Sequence, residues 1–353
     1  GFCQEGCQAY KVLGFEQYSS RGRMLIMRSL IEEKVKIDES VSDVAFNCFL
    51  CGYCNAKCAL FPTNIFVVLR HELKKAGLVP KPLRRLVDNI KSSMNPYGFP
   101  HDDRFSWIKN TQVVSRGEIL YFPGCVYAYI YPKRTERIYK LLRKSGISVI
   151  YDSKLDFCCG YPTYISGDFE TFQELARKNY ELWKKSGVKK IITPCPGCFK
   201  ALSEHYPEFL DDFDIEVKHA VLEIYDAYDN GKIMLSRKYG TVTYHDPCEL
   251  TRFMKVVEEP RKLIEAIAAE LIEMDYNKYF ARCCGGGGLV SAYNPSLSLR
   301  ASMNRALEIK GTGAEIVTTF CPTCERTLQK GIKKAKVGVK LLDLGEMLLE
   351  SLR

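Results

Sequence analysis

The residues most able to do chemistry are cysteines, and the chain of 353 residues carries 16 of them. Phe157-Cys158-Cys159-Gly160 is the densest group. Upstream, Cys125 follows the apolar run Ile119-Leu120-Tyr121-Phe122, and downstream Cys195-Pro196-Gly197-Cys198 follows Ile191-Ile192-Thr193. The arrangement then recurs. Cys248 follows Val242-Thr243-Tyr244, Cys283-Cys284-Gly285 takes the middle place, and Cys321-Pro322-Thr323-Cys324 follows Ile316-Val317-Thr318. From Cys125 to Cys158 there are 32 intervening residues and from Cys248 to Cys283 there are 34. From Gly160 to Cys195 there are 34, and from Gly285 to Cys321 there are 35. Spacing this regular marks one unit used twice. Two adjacent cysteines cannot easily staple a fold, whereas neighbouring thiolates on one turn can hold adjacent irons of a cluster.

A second pattern lies nearer the N-terminus: Cys48-x-x-Cys51-Gly52-Tyr53-Cys54-x-x-x-Cys58. Its latter half matches the first residues of the chain, Gly1-Phe2-Cys3-Gln4-Glu5-Gly6-Cys7. This spacing wraps three ligands around one [4Fe-4S] cubane and lends the fourth cysteine to a second cluster. Under that rule Cys48, Cys51, Cys54 and Cys7 make one complete site, while Cys3 and Cys58 belong to another that lacks two ligands. The match predicts that two further cysteines preceded Gly1, so that the N-terminal module is truncated. Neither fourth cysteine is followed directly by proline, since Gln8 follows Cys7 and Pro62 lies four residues beyond Cys58.

Composition narrows the class. The chain is long, shows no signal peptide and groups its cysteines as C-C and C-x-x-C, which favours metal ligation over disulfides. The net charge of +9 comes from scattered basic residues, and cluster thiolates would offset it, so no nucleic-acid partner is expected. No run approaches the ~18 to 20 apolar residues of a membrane span. The expected location is cytoplasmic, or peripheral to a membrane through a partner subunit. Weaker candidates fall away on inspection. His71-Glu72 begins like a zinc-protease helix, but Lys75 stands where the second His is required. Gly285 to Gly288 lacks the Lys-Ser/Thr ending of a P-loop, so these glycines are expected to let the backbone approach a bulky cluster or substrate. His205 and His245 read as hydrogen-bonding neighbours of cysteines, and Tyr161, Tyr164 and Tyr293 as aromatic packing.

The elements that must position these groups follow from periodicity. Helices are expected over 21–34, 66–76 and 83–91, the first burying Met24, Leu25, Met27, Leu30 and Ile31. Pro96, Gly98 and Pro100 place a linker over 92–116. The repeats read as strands at 118–122, 147–151 and 189–193, then 241–245, 271–275 and 315–319. Helices alternate with them at 133–145, 168–186 and 198–205, then 259–269, 296–310 and 324–334. The expected fold class is therefore α/β with parallel strand–helix units in the repeats, behind a mainly α ferredoxin-like module. The expected domains are 1–110, 117–236 and 237–353. Each cysteine group follows a strand, so each set should converge beyond the carboxyl ends of its sheet.

The pattern C-x31–38-C-C-G-x33–35-C-x-x-C is that of the cysteine-rich CCG domain. Two such domains behind a ferredoxin-type module resemble the D-type subunit of heterodisulfide reductases, which fuses B- and C-type parts. The shared motifs include Tyr244-His245-Asp246-Pro247-Cys248 and both Cys-Pro-x-Cys groups. The resemblance implies one non-cubane [4Fe-4S] cluster on Cys125, Cys158, Cys159, Cys195 and Cys198. It implies another on Cys248, Cys283, Cys284, Cys321 and Cys324, with zinc at one of these sites left open. It also implies reduction of a mixed disulfide such as that of coenzyme M and coenzyme B between the two clusters. The electrons would come through the ferredoxin module from a membrane cytochrome b-type subunit or a flavoprotein donor. The iron–sulfur subunits of flavin-dependent glycolate or lactate dehydrogenases, and a related subunit of sulfite-reduction membrane complexes, share this architecture and remain alternatives. Their final C-x-x-C is often degenerate, whereas both sets here are intact.

Overall fold

The computed structural model describes residues 1–109 and 111–353. Eight strands form two separate sheets: β1 (Ile119–Tyr121), β2 (Val149–Ile150), β3 (Lys190–Thr193) and β4 (Glu216–His219), then β5 (Tyr239–Tyr244), β6 (Ala268–Leu271), β7 (Ile316–Thr319) and β8 (Lys340–Asp343). The strand orders are β2-β1-β3-β4 and β6-β5-β7-β8, the same order used twice. All pairings are parallel, with Leu120 opposite Ile150 and Ile191, and Thr243 opposite Val317. Central strands β3 and β7 are largely buried, β7 along its whole length, because helices cover both faces of a parallel sheet. The α/β class expected from the repeats, with a helical N-terminus, is the one found.

The helices begin where their sequences supply caps. Asp168 accepts from the Thr171 N–H and opens Phe169–Lys185, and Asn294 accepts from the Leu297 N–H and opens Pro295–Gly311. In both Cys-Pro-x-Cys motifs the first cysteine is the N-cap and proline takes the first helical position, Pro196 or Pro322. Proline's fixed φ suits that position. The second cysteine then falls in the first helical turn, two residues on.

One apolar cluster crosses both sheets, joining Tyr121, Ile192 and Phe199 to Val242, Tyr244, Ile316 and Phe320. Polar contacts reinforce the seam: Tyr127 donates to Asp343 at 3.0 Å, and Arg134 pairs with Glu325 and, at 3.2 Å, with Glu346.

Four expectations need correction. Strands β4 and β8 are absent from the sequence reading, because Glu216-Val-Lys-His and Lys340-Leu-Leu-Asp are short and carry charges suited to sheet edges. The strand placed at 271–275 lies at Ala268–Leu271, entered directly from the helix Glu258–Ile267 without a turn. The first long helix is Ser20–Ile31, but Leu25 and Ile31 are exposed and Arg23 is buried in their stead. The segment 92–116 is not a bare linker (Asn110 within it lies outside the described residues). Its helical turns at His101–Ile108 pack on the first sheet, with Arg104 and Trp107 buried and Trp107 edge-on to Tyr121 and Tyr151.

Candidate metal centres

In each sheet the chain leaves the first and third strands of the repeat in opposite directions, so a crevice opens between their carboxyl ends. Cys125 follows β1 and Cys195 follows β3, which puts both at that switch point. Cys248 and Cys321 stand at the equivalent places after β5 and β7. Cys125 and Cys321 also sit at helix N-termini.

The five thiols of the first set touch in series. Cys125 is in hydrogen-bonding contact with Cys158, Cys158 with Cys159, Cys159 with Cys198, and Cys198 with Cys195. Sulfurs this crowded compete for protons. The contacts from Cys158 and Cys198 bring the Cys159 thiol down to about 6, while its own contacts with Cys159 and Cys195 push Cys198 up. Gly124 has φ +77°, and a Cβ there would lie 2.7 Å from Cys198 Sγ, so only glycine lets Cys125 turn toward its partners. Arg104, fully buried, donates to Cys125 Sγ at 3.3 Å and is held by Asp156 at 2.6 Å.

The second set repeats the core of this arrangement through Cys283, Cys284, Cys324 and Cys321. Cys284, the counterpart of Cys159, is again lowered by its contacts with Cys283 and Cys324. Two features differ. The thiol that touches Cys283 is Cys51 of the N-terminal motif, and Cys248 stands beside the pair. One ring nitrogen of His245 lies within 4.8 Å of the sulfurs of Cys284 and Cys324. Arg305 donates to His245 Nδ1 at 3.1 Å, which leaves the ring proton on Nε2. A neutral ring in that tautomer donates hydrogen bonds, in keeping with a neighbour rather than a ligand. His205 is remote from ligation: it stacks on Tyr164 at 3.9 Å and meets Glu208 at 3.0 Å.

Cys7, Cys48, Cys51 and Cys54 line one cavity in the N-terminal segment, together with Cys3, Arg23 and Phe66. Cys3 thus stands with the first group, and Cys58 lies outside that cavity. Burial pushes the Cys7 thiol up to about 11 and raises Cys54 as well. Soft sulfur donors facing a shared cavity suit iron–sulfur ligation. All 16 cysteines are free of disulfides, so the donor set fits the expected clusters.

The glycine run after Cys284 also brings two stretches of protein backbone together. Gly287 and Gly288 press against the backbone carbonyls of Phe49 and Cys48, and a Cβ on either would collide with them. Thus the run lets the second repeat approach the N-terminal motif. Arg252 secures the same contact, donating to the carbonyls of Cys51 and Ala281, each at 2.6 Å.

Residues outside the cysteine motifs lie between the two repeats, among them Tyr161, which hydrogen-bonds through its hydroxyl besides the aromatic packing expected of it. Helix Pro196–Lys200 packs on the turn Glu249–Phe253. There Tyr161 donates to Glu249 at 2.7 Å, Lys200 reaches the other Glu249 oxygen at 3.3 Å, and the Lys200 ammonium sits 3.5 Å from the Phe253 ring centre. The only cue was position: Tyr161 follows Cys-Cys-Gly and Glu249 follows Cys248.

The family model of the CCG cysteine-rich domain matches residues 119–203 and 242–329. The chain is 31% identical over 324 residues to the D subunit of dihydromethanophenazine:CoB–CoM heterodisulfide reductase from Methanosarcina mazei, covering 89% of this chain and 79% of that protein. The D subunit of the same reductase from Methanosarcina barkeri is 30% identical over 354 residues, 97% of this chain and 87% of that protein. EtfAB:quinone oxidoreductase of Syntrophomonas wolfei is 27% identical over 347 residues, 91% of this chain but 48% of that longer protein. These relatives are named as oxidoreductases, and with the two cysteine-rich domains of this chain they support an iron–sulfur, electron-transferring role. With both repeats matched and the similarity running along most of its length, the chain belongs to the CCG-domain oxidoreductase family of heterodisulfide reductase D-type subunits.

Proposed function

We propose that this chain is the disulfide-cleaving subunit of a heterodisulfide reductase-type complex. Its substrate would be the coenzyme M–coenzyme B heterodisulfide or a close relative. The observation that carries the reading is the pair of complete five-cysteine sets, packed against each other through Pro196–Lys200 and Glu249–Phe253. Non-cubane clusters bound at the two sets would each supply one electron to a disulfide that needs two. Cleavage to two thiols also consumes two protons. Beside Cys248, Glu249 accepts a hydrogen bond from Tyr161 and ion-pairs with the buried Lys200, a group that would hold and pass a proton. Lys200 further offers a buried cation for an anionic substrate group. Cys7, Cys48, Cys51 and Cys54 would hold a cubane, and the Cys51–Cys283 contact makes the second repeat the first recipient of its electrons. The donor would be a membrane cytochrome b-type subunit or a flavoprotein.

Similarity to EtfAB:quinone oxidoreductase keeps one other reading in view, an electron conduit for a flavoprotein with no chemistry at the repeats. The variants Cys159→Ala and Cys284→Ala separate the two. Each is expected to abolish reduction of the mixed disulfide while the cubane-type EPR signal survives. Retained turnover in either would defeat the two-centre mechanism.

A further inference from the structure

Two arginines in the N-terminal segment are buried without any carboxylate partner among the described residues. Arg70 is fully buried, and its five N–H bonds all go to backbone carbonyls: Ala45, Cys48, Ile165 and Gly288. These carbonyls belong to the N-terminal segment and to both repeats, and Cys48 is one of the expected cluster ligands. Arg23 is 1% exposed. Its Nε and Nη1 bond to the carbonyls of Val44 and Tyr18, at 3.0 and 2.5 Å. Its Nη2 has no partner among the described residues, and the side chain lines the cavity formed by Cys7, Cys48, Cys51 and Cys54.

A buried cation normally requires an anion, because carbonyl dipoles repay only part of the cost of desolvating a charge. The ordinary use of arginine in this chain shows the contrast. Arg104 meets Asp156, and Arg261 meets Asp246 and Glu273. Arg23 and Arg70 have no such carboxylate, yet Arg23 still presents an unused donor to a cavity walled by sulfur. A four-thiolate iron–sulfur cluster is anionic in both its usual oxidation states, and net charge and hydrogen bonds to sulfur are levers on its potential. The missing anion and the free donor therefore have one common explanation.

We propose that Arg23 and Arg70 are the built-in counter-charge of the cluster held by Cys7, Cys48, Cys51 and Cys54. In this role Arg23, through its free Nη2, is a positioning residue that raises the cluster's reduction potential. Added electron density is stabilised by two nearby positive charges and by a donor to sulfur, so the reduced form gains more than the oxidised one. Arg70 contributes the second charge and orients Cys48 through its carbonyl. The inference rests on the reading that those four thiolates hold a cluster.

The test is an anaerobic redox titration followed by EPR, with iron quantified, on the intact chain and on Arg23→Gln and Arg23→Lys. The cubane-type signal of Arg23→Gln should shift to a lower midpoint, while signals from the two repeats keep theirs. Arg23→Lys, which keeps the charge, should retain most of the original midpoint. An unchanged midpoint in fully loaded Arg23→Gln overturns the inference and leaves the cluster reading intact. Absence of any cubane-type signal in the wild-type protein overturns both. If Arg23→Gln takes up no iron at this site, Arg23→Lys decides: loading with a near-original midpoint supports the counter-charge role, and failure to load overturns it, since a positive charge would not then be sufficient.

Discussion

At the residue scale, the two Cys-Cys pairs behave alike although they lie more than a hundred residues apart in the chain. In each, the second cysteine is the one whose proton is drawn away, Cys159 by Cys158 and Cys198, Cys284 by Cys283 and Cys324. The pattern follows from contact geometry alone, which is why the same roles recur in both repeats. Glu249 is the residue that ties the two sets together through Tyr161 and Lys200. Glu249→Gln keeps the shape but removes the charge that holds Lys200 and the group that can carry a proton. Steady-state assays should show turnover reduced by roughly 100- to 10,000-fold with cluster content unchanged. Turnover equal to wild type would remove Glu249 from the proton path. His219 makes a separate prediction. It is fully buried and neutral, donating from Nε2 toward the Pro194 carbonyl at 2.9 Å and accepting from the Val221 N–H at Nδ1. Burial lowers its pKa to about 3. Between the ordinary value near 6.5 and that value, the unfolded chain binds a proton that the folded chain does not. Stability therefore falls as the pH drops from about 6.5, by about 2 kcal/mol at pH 5. Chemical denaturation at pH 7 and pH 5 should show a smaller acid loss in His219→Gln.

At the element scale, the loops after strands matter more than the strands. Gly288, at φ +57°, lies where the second repeat meets the Cys48 backbone, and Arg70 donates to its carbonyl at 2.9 Å. Gly288→Ala forces a Cβ into the Cys48 carbonyl in a backbone conformation that costs side chains energy. It should lower stability by about 1 to 3 kcal/mol and disturb the cubane-type EPR signal before that of the first repeat. An undisturbed melting curve would show that the contact is slack. The central strands and most helices were legible because Ile191-Ile192-Thr193 and Ile316-Val317-Thr318 are apolar runs between helical periods. The cysteine groups were legible because metal ligation constrains residue type and spacing together. The rest depended on partners distant in sequence. Trp107 looks like part of a linker until Tyr121 and Tyr151 are brought beside it. Arg23 and Arg70 look like surface charges on helices until the fold closes over them. The glycine run implied a close approach of its backbone, and only the fold brings the Cys48–Phe49 backbone against Gly287 and Gly288.

At the scale of the whole molecule, the two repeats are joined by a common core as well as by chemistry. Phe320 is fully buried in the cluster that spans both sheets and lies edge-on to His219 of the first repeat, with centroids 5.3 Å apart. Phe320→Ala should cost about 3 to 5 kcal/mol and lower a single cooperative transition. Thermal unfolding followed at once by circular dichroism and by cluster absorbance would check this. Two separated transitions would mean that the repeats melt independently. No helix in the described residues is long and apolar enough to cross a membrane. Anaerobic iron, sulfide and zinc analysis joined to EPR, with and without the mixed disulfide, tests the proposed chemistry most directly. Roughly eight or more irons per chain, with a new paramagnetic signal on adding the disulfide that is absent from Cys159→Ala and Cys284→Ala, is the predicted result. Full iron content with no signal induced by the disulfide, or zinc in place of iron at either five-cysteine set, would contradict disulfide cleavage between two iron–sulfur centres.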